Sequence, residues 1–201
     1  MKRTRPSKRT RLSPEVRREQ LLEAAKNSIL RDGLQQFALK KLAVEANVSE
    51  PLLFHYFSSR TDLLQQLLER DYKQFIEALN AALDGAKSLQ EILYIYACSN
   101  YDLLPEESLI DILLTDPDLA KAIEEQRSRN IKTRERFLVD TISSELGITR
   151  KLASMLALMG SAASIAAAKY AHRAGIDRER AVATVTQFVA AGFESQRGKA
   201  K

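Results

Sequence analysis

Few residues of this 201-residue chain are spaced for catalysis. The two histidines, His55 and His172, stand far apart in sequence, and neither lies in a nucleophile pattern. The single cysteine, Cys98, has no Cys/His cluster around it that would hold a structural zinc, and one thiol cannot staple a secreted scaffold, which points to a reducing cytoplasm. No paired carboxylates and no nucleophile–base pair stand out, so an enzyme ranks last among the readings and no catalytic, metal or cofactor residue is expected. What the residue types do offer is polyanion chemistry. Residues 1–60 carry 13 Lys/Arg against 6 Asp/Glu, a net of +7, while the remaining 141 sum to −2. A basic first third on a mildly acidic remainder implies a nucleic-acid-binding head joined to a body with another task. Most of the excess lies in Lys2, Arg3, Arg5, Lys8, Arg9 and Arg11, a stretch that reads either as a solvated tail or as an arm entering a minor groove.

The segment LKKLAVEANVSEPLLFHYFS from Leu39 holds the pattern that a DNA-reading head requires. Leu42 is apolar at its fourth place. Ala43 is small at its fifth, where two helices crossing closely leave room for little else. Asn47 falls in the turn between them, where a left-handed backbone is needed and Gly or Asn adopts it cheaply. Val48, Leu53 and Tyr56 fill the remaining apolar places. Together with the basic balance these features favour a helix-turn-helix, whose second helix lies in the major groove, over an ordinary helical hairpin.

The elements that must position this segment are helices. Hydrophobic residues make up 45% and charged residues 28%, while 7 glycines and 5 prolines are too few for a sandwich or barrel. The breakers fall at helix ends. Ser13-Pro14-Glu15 opens a helix carrying Leu21, Leu22, Ala25 and Ile29 up to Gly33. A short helix follows with Leu39, Leu42, Ala43 and Ala46, and Ser49 caps a third with Pro51 in its first turn. Asp62 opens a long helix to Gly85, Ser88-Leu-Gln-Glu91 is a capping box, and Pro105 starts a short helix. Asp116-Pro117 begins another long one to Gly147, Thr149 caps a helix to Gly175, and Asp177 caps the last, ending near Ser195. The expectation is an all-α chain of about nine helices: a basic arm (1–12), a three-helix head (13–60), a helical body (61–195) and a tail (196–201). The N-terminus lacks the apolar run of a signal peptide, and the uncharged stretch Leu152–Ala168 is short and Ala-rich, so no membrane partner is expected.

At this point the chain resembles the TetR family of one-component bacterial transcriptional regulators. The likeness runs from RREQLLEAA at Arg17–Ala25, through Gly33 and LAVEANVS, to LLFHYFSSRTDLL ending at Leu64. It implies double-stranded DNA as a partner, with Lys40 in the helix-turn-helix and Ser49, Glu50, Pro51, Leu52 and His55 facing the groove. Pro51 and Leu52 suit thymine methyls, and Glu50 is able to accept from a cytosine amino group or to serve the helix dipole. Tyr56 and Arg60 are the phosphate candidates, with Arg60 in place of the usual Lys, and Phe54, lacking the hydroxyl of the common Tyr, is expected to pack. Phe37-Ala38 replaces the Thr or Ser that often opens the second helix, Leu52 stands where Thr is frequent, and Glu50 where Lys, Arg or Gln is frequent.

In the body, Gly160 and Gly192 interrupt helical stripes at a cost of ~1 kcal/mol each relative to alanine, which asks for a close backbone approach. With Leu156, Met159, Val185 and Phe188 they read as a homodimer interface, which the resemblance implies to be a four-helix bundle, or else as a hairpin buried within one chain. Phe75, Tyr94, Cys98 and Tyr101, with Tyr96 and Asn100 nearby, are candidates to line a pocket for an unidentified small apolar or amphipathic effector. The resulting expectation is a cytoplasmic, operator-specific regulator, most simply a repressor released by its effector. The competing reading is a DNA-binding scaffold that recruits a protein partner with no small-molecule switch. A large apolar cavity favours the first, and a filled core the second.

Overall fold

The computed structural model describes residues 13–103 and 108–199. Among them are ten α-helices, one 3-10 turn and no strand. The chain divides into two compact units, one through Leu67 and one from Leu68.

In the first unit, α1 (Pro14–Asp32) starts where Ser13 Oγ accepts from the Val16 amide at 3.3 Å and stops at Gly33, whose φ of 84° only glycine takes without strain. Its inward face is Leu21, Leu22, Ala25 and Ile29, as the periodicity requires. A 3-10 turn (Leu34–Gln36) leads to α2 (Leu39–Glu45) and α3 (Glu50–Tyr56). Between α2 and α3, Asn47 takes φ 52°, the one described non-glycine residue with positive φ. The Val48 amide then donates back to Ala43 O at 2.9 Å. Leu42, Ala43, Leu53 and Phe57 are buried.

Helix α4 (Arg60–Asp84) begins two residues before the expected Asp62. The Asp62 amide donates to Ser59 Oγ at 3.0 Å, and the Asp62 carboxylate accepts from the Ser58 amide at 2.7 Å and the Ser58 hydroxyl at 2.9 Å. Ser59 is therefore the cap and Asp62 its partner in the first turn, which is why an acidic residue there was mistaken for the start.

The second unit contains α5 (Leu89–Leu103), α6 (Leu109–Leu114), α7 (Pro117–Ala122), α8 (Glu124–Leu146), α9 (Arg150–Ala174) and α10 (Arg178–Glu194). The Ser88 cap forms as read, with the Glu91 amide donating to Ser88 Oγ at 3.2 Å. Ser108 caps α6, its Oγ accepting from the Asp111 amide at 3.1 Å; Pro105, expected to start this helix, lies outside the described residues. One expectation fails. The long helix expected from Pro117 breaks at Ile123, whose φ −109° and ψ 5° leave the helical region while its side chain is buried. No Gly or Pro marks that break. The unit's main core joins α5, α8, α9 and α10 through Leu93, Ala97, Val139, Ile142, Leu156, Val182, Val189 and Phe193. Arg178 closes one end, its guanidinium donating to both Asp102 carboxylate oxygens at 2.6 and 2.5 Å.

Candidate nucleic-acid interface and body cavity

In the first unit α3 presents Glu50, Pro51, Phe54 and His55 to solvent, with Leu52 and Tyr56 half-buried and Leu53 turned inward. Ser49 Oγ accepts from the Leu52 amide at 3.4 Å, so it both caps α3 and stands at its exposed start. Lys40, at the start of α2, is exposed too. His55 and Tyr56 meet edge to face, ring centroids 5.2 Å apart. The geometry brings Ser49, Glu50, Pro51, Leu52, His55 and Tyr56 onto one short helix and its cap, with Glu50, Pro51 and His55 exposed, while Lys40 stands on α2 and Arg60 on α4.

Phe54 departs from expectation. It is 52% exposed rather than packed, because position 54 falls on the same outward stripe as 50 and 51 while 53 and 57 fill the core. Arg60 also departs. Its Nε donates to Phe37 O at 3.1 Å and its Nη2 to Leu34 O at 2.9 Å, with the guanidinium carbon 5.8 Å from the Phe37 ring centroid. These donors tie the 3-10 turn to the start of α4. Two other bases of the head are also engaged: Arg31 pairs with Asp32 and Glu45, and Lys41 with Asp32, at 2.6–2.7 Å. Those bonds hold the Asp32 carboxyl well below the usual carboxylate range, Arg31 contributing most. Residues 13–60 sum to only +1, so the charge excess read from the sequence sits in residues 1–12. Arg3, Arg5, Lys8, Arg9 and Arg11 lie outside the described residues.

The second unit encloses a cavity of about 600 Å³, within the range of small-molecule sites. Phe75, Leu79, Leu93, Tyr96, Leu138 and Val189 supply apolar wall, and Asn100, Asp111, Arg127, Arg134, Ser164 and Thr186 are polar points on it. Of the four pocket candidates only Phe75 lines this space. On α5 the residues that do so are Leu93, Tyr96, Ala97, Ser99 and Asn100, and the i, i+3, i+4, i+7 stripe through 93, 96, 97 and 100 carries Tyr94, Cys98 and Tyr101 onto other faces. Tyr94 is exposed, Cys98 packs against the main core, and the Tyr101 hydroxyl donates to Ile176 O at 3.3 Å while its ring lies 4.2 Å from that of His172. The Tyr96 hydroxyl donates to Arg134 O at 3.4 Å, and burial pushes its pKa up against the opposing charge of Arg134. Asn100 Nδ2 donates to Ser164 Oγ at 3.1 Å. Burial likewise raises Asp111, with the Ser108 hydroxyl and the Arg127 charge pulling it back. No motif or periodicity in the sequence singles out Arg134, which stands among charged residues on α8, or Thr186, which lies between Val185 and Gln187 on α10.

The interface candidates divide. Leu156, Gly160 and Val185 are buried within their own chain; a Cβ on Gly160 would lie 3.0 Å from both Phe193 Cζ and Val189 Cγ1, so the glycine serves the α9–α10 contact inside one protomer. Met159 and Phe188, by contrast, are 58% and 71% exposed, and Gly192 is open.

Comparison with known proteins places these observations. Residues 21–67 match the model for bacterial regulatory proteins of the tetR family. An uncharacterized HTH-type transcriptional regulator of Haemophilus influenzae is 34% identical over 73 residues, 36% of this chain and 39% of that protein. The HTH-type transcriptional activator FasR of Mycolicibacterium smegmatis is 27% identical over 91% of this chain and 85% of its own. The fold matches that of the transcriptional regulator FadR from Bacillus subtilis in complex with stearoyl-CoA, with a TM-score of 0.60 and 19% identity over 87% of this chain and 98% of that one. The head, its turn and its outward helix are thus similar to those of tetR-family regulatory proteins over residues 21–67, and the whole chain is similar in fold to solved transcriptional regulators.

Proposed function

We propose that this regulator is a ligand-responsive repressor that binds an inverted-repeat operator as a homodimer and leaves it when a small molecule occupies the body cavity. The cavity carries the reading: about 600 Å³ of largely apolar space with a few polar points has a use in a switch and none in a scaffold. The stearoyl-CoA complex of the fold neighbour FadR supports a small-molecule site in a body of this shape. Homodimerisation is supported by the outward apolar residues Met155, Met159 and Phe188 on α9 and α10, which a second copy would cover. Two heads related by a twofold axis read a near-palindrome, which one head cannot. We assign residues 13–60 to DNA, with Ser49, Glu50, Pro51, Leu52, His55 and Tyr56 at the groove, Lys40 beside them and residues 1–12 as an arm, and residues 61–195 to effector and dimer. The workplace is the cytoplasm, where the DNA is.

For release, the ligand must bind the DNA-incompetent arrangement better than the competent one, and α4, which continues from the first unit into the second, is the covalent path for that difference. Selection from a randomised duplex library across a salt series tests the core of the reading. An inverted repeat retained by two protomers supports it, with Phe188→Asp expected to give monomers that lose the repeat. Retention without any motif favours a scaffold, and no retention overturns DNA binding. Transcription in vitro from the selected site gives the sign, and stimulation would replace repressor by activator.

A further inference from the structure

We propose that the body cavity is built for an amphipathic anion, an apolar chain ending in a carboxylate or comparable acidic group, with the Arg134 guanidinium as its anchor. The inference rests on the effector-cavity reading above and narrows it to one ligand class. Arg134 Nη1 is shut off from solvent and has no hydrogen-bond partner among the described residues. A cationic N–H buried without an acceptor is costly, so a site that keeps one is a site short of an anion. Thr186 Oγ1 is a second buried atom in the same condition, and both residues line the same cavity.

The other charges on the wall do not supply the missing partner. Asp111, which burial pushes toward its neutral form, and Glu135, which is exposed, make no bond to Nη1. Away from Arg134 the wall is Phe75, Leu79, Leu93, Leu138 and Val189. That surface takes a hydrocarbon chain through burial alone. An acid head on such a chain satisfies the guanidinium by a charge-assisted bond; a neutral alcohol of equal length satisfies it weakly, and a quaternary ammonium meets like charge.

The test uses the full-length protein and three matched series of straight-chain probes, about eight to sixteen carbons long to span the cavity size range. The series are fatty-acid sodium salts, the alcohols of equal length and the alkyltrimethylammonium ions, all titrated calorimetrically below their micellar concentrations. The expected result is that at least one chain length binds and that its carboxylate binds on the order of tenfold or more tighter than its alcohol, with the ammonium weakest. Arg134→Met, which keeps an apolar stem and removes every donor, should abolish the preference for carboxylate, while Arg134→Lys keeps part of it. Circular dichroism melts check that Arg134→Met folds; should it not, the wild-type ratio and Arg134→Lys still decide. Equal affinity for acid and alcohol, or a preference that survives Arg134→Met, overturns the anion inference while leaving the effector cavity standing. Binding by no member of any series overturns both.

Discussion

Replacing Arg60 by methionine separates two roles that share one side chain. The resemblance makes it a phosphate ligand, whereas the structure spends its Nε and Nη2 on Phe37 O and Leu34 O at 3.1 and 2.9 Å. A hydrogen bond from a charged donor contributes on the order of 1.5–3 kcal/mol when well buried. Arg60 is half-buried, so the pair together stabilises the head by about 2–3 kcal/mol, a factor of about thirty or more in its opening equilibrium. Because the chain has two units, a single melting temperature would blur the effect. Amide hydrogen exchange resolved over α1 to α3 reads it directly: exchange in the head should accelerate by that factor while α5, α9 and α10 stay unchanged. The companion measurement is operator affinity across a salt series, at a temperature where the variant head remains folded. An internal Arg60 leaves the slope of log K against log salt unchanged, but a phosphate-bound Arg60 lowers its magnitude by about 0.9. Unchanged exchange together with a reduced slope would refute the structural role and restore the phosphate contact.

Deleting residues 2–11 removes six Lys/Arg from a head that otherwise sums to +1, so the salt slope should fall by as much as about 5 with folding unaltered, and an unchanged slope would make that stretch a mere tail. Asn47→Ala should cost the head about 1–2 kcal/mol because φ 52° is then adopted by a residue with no local compensation, whereas Asn47→Gly stays near neutral; urea unfolding followed by head-specific exchange tells them apart. Bonds from the Ser58 amide, then from Gln66, depress the Asp62 pKa in the folded head. That contribution is present above the unfolded carboxylate value of about 3.9 and is lost as pH falls through the lower folded value. Asp62→Asn should therefore show a flatter decline of stability below about pH 4 than the wild type, and coincident acid-unfolding curves would count against the cap.

How much of this was legible beforehand follows from the range of each interaction. Ser13, Asn47, Ser49, Ser88, Thr149 and Asp177 act within a few residues of themselves, so their caps and turn were readable from order alone, and each makes the local bond expected of it. Ile123 ends a helix with no Gly, Pro or capping residue beside it to mark the position. On α5 the sequence offered several aromatic residues, but which stripe meets the cavity depends on where α8, α9 and α10 pack, and that selected Tyr96 and Asn100 over Tyr94, Cys98 and Tyr101.

The sequence by itself determined the all-α class and the helix-turn-helix of the head, because helical periodicity, caps and one left-handed turn are set by neighbours along the chain. Only the tertiary structure decided that Arg60 bonds two backbone carbonyls, that Gly160 serves its own protomer's core, and that Arg134 and Thr186, each with an unpartnered buried atom, line one cavity. Those are contacts between residues far apart in order, and their partners are chosen by packing, which local pattern does not encode.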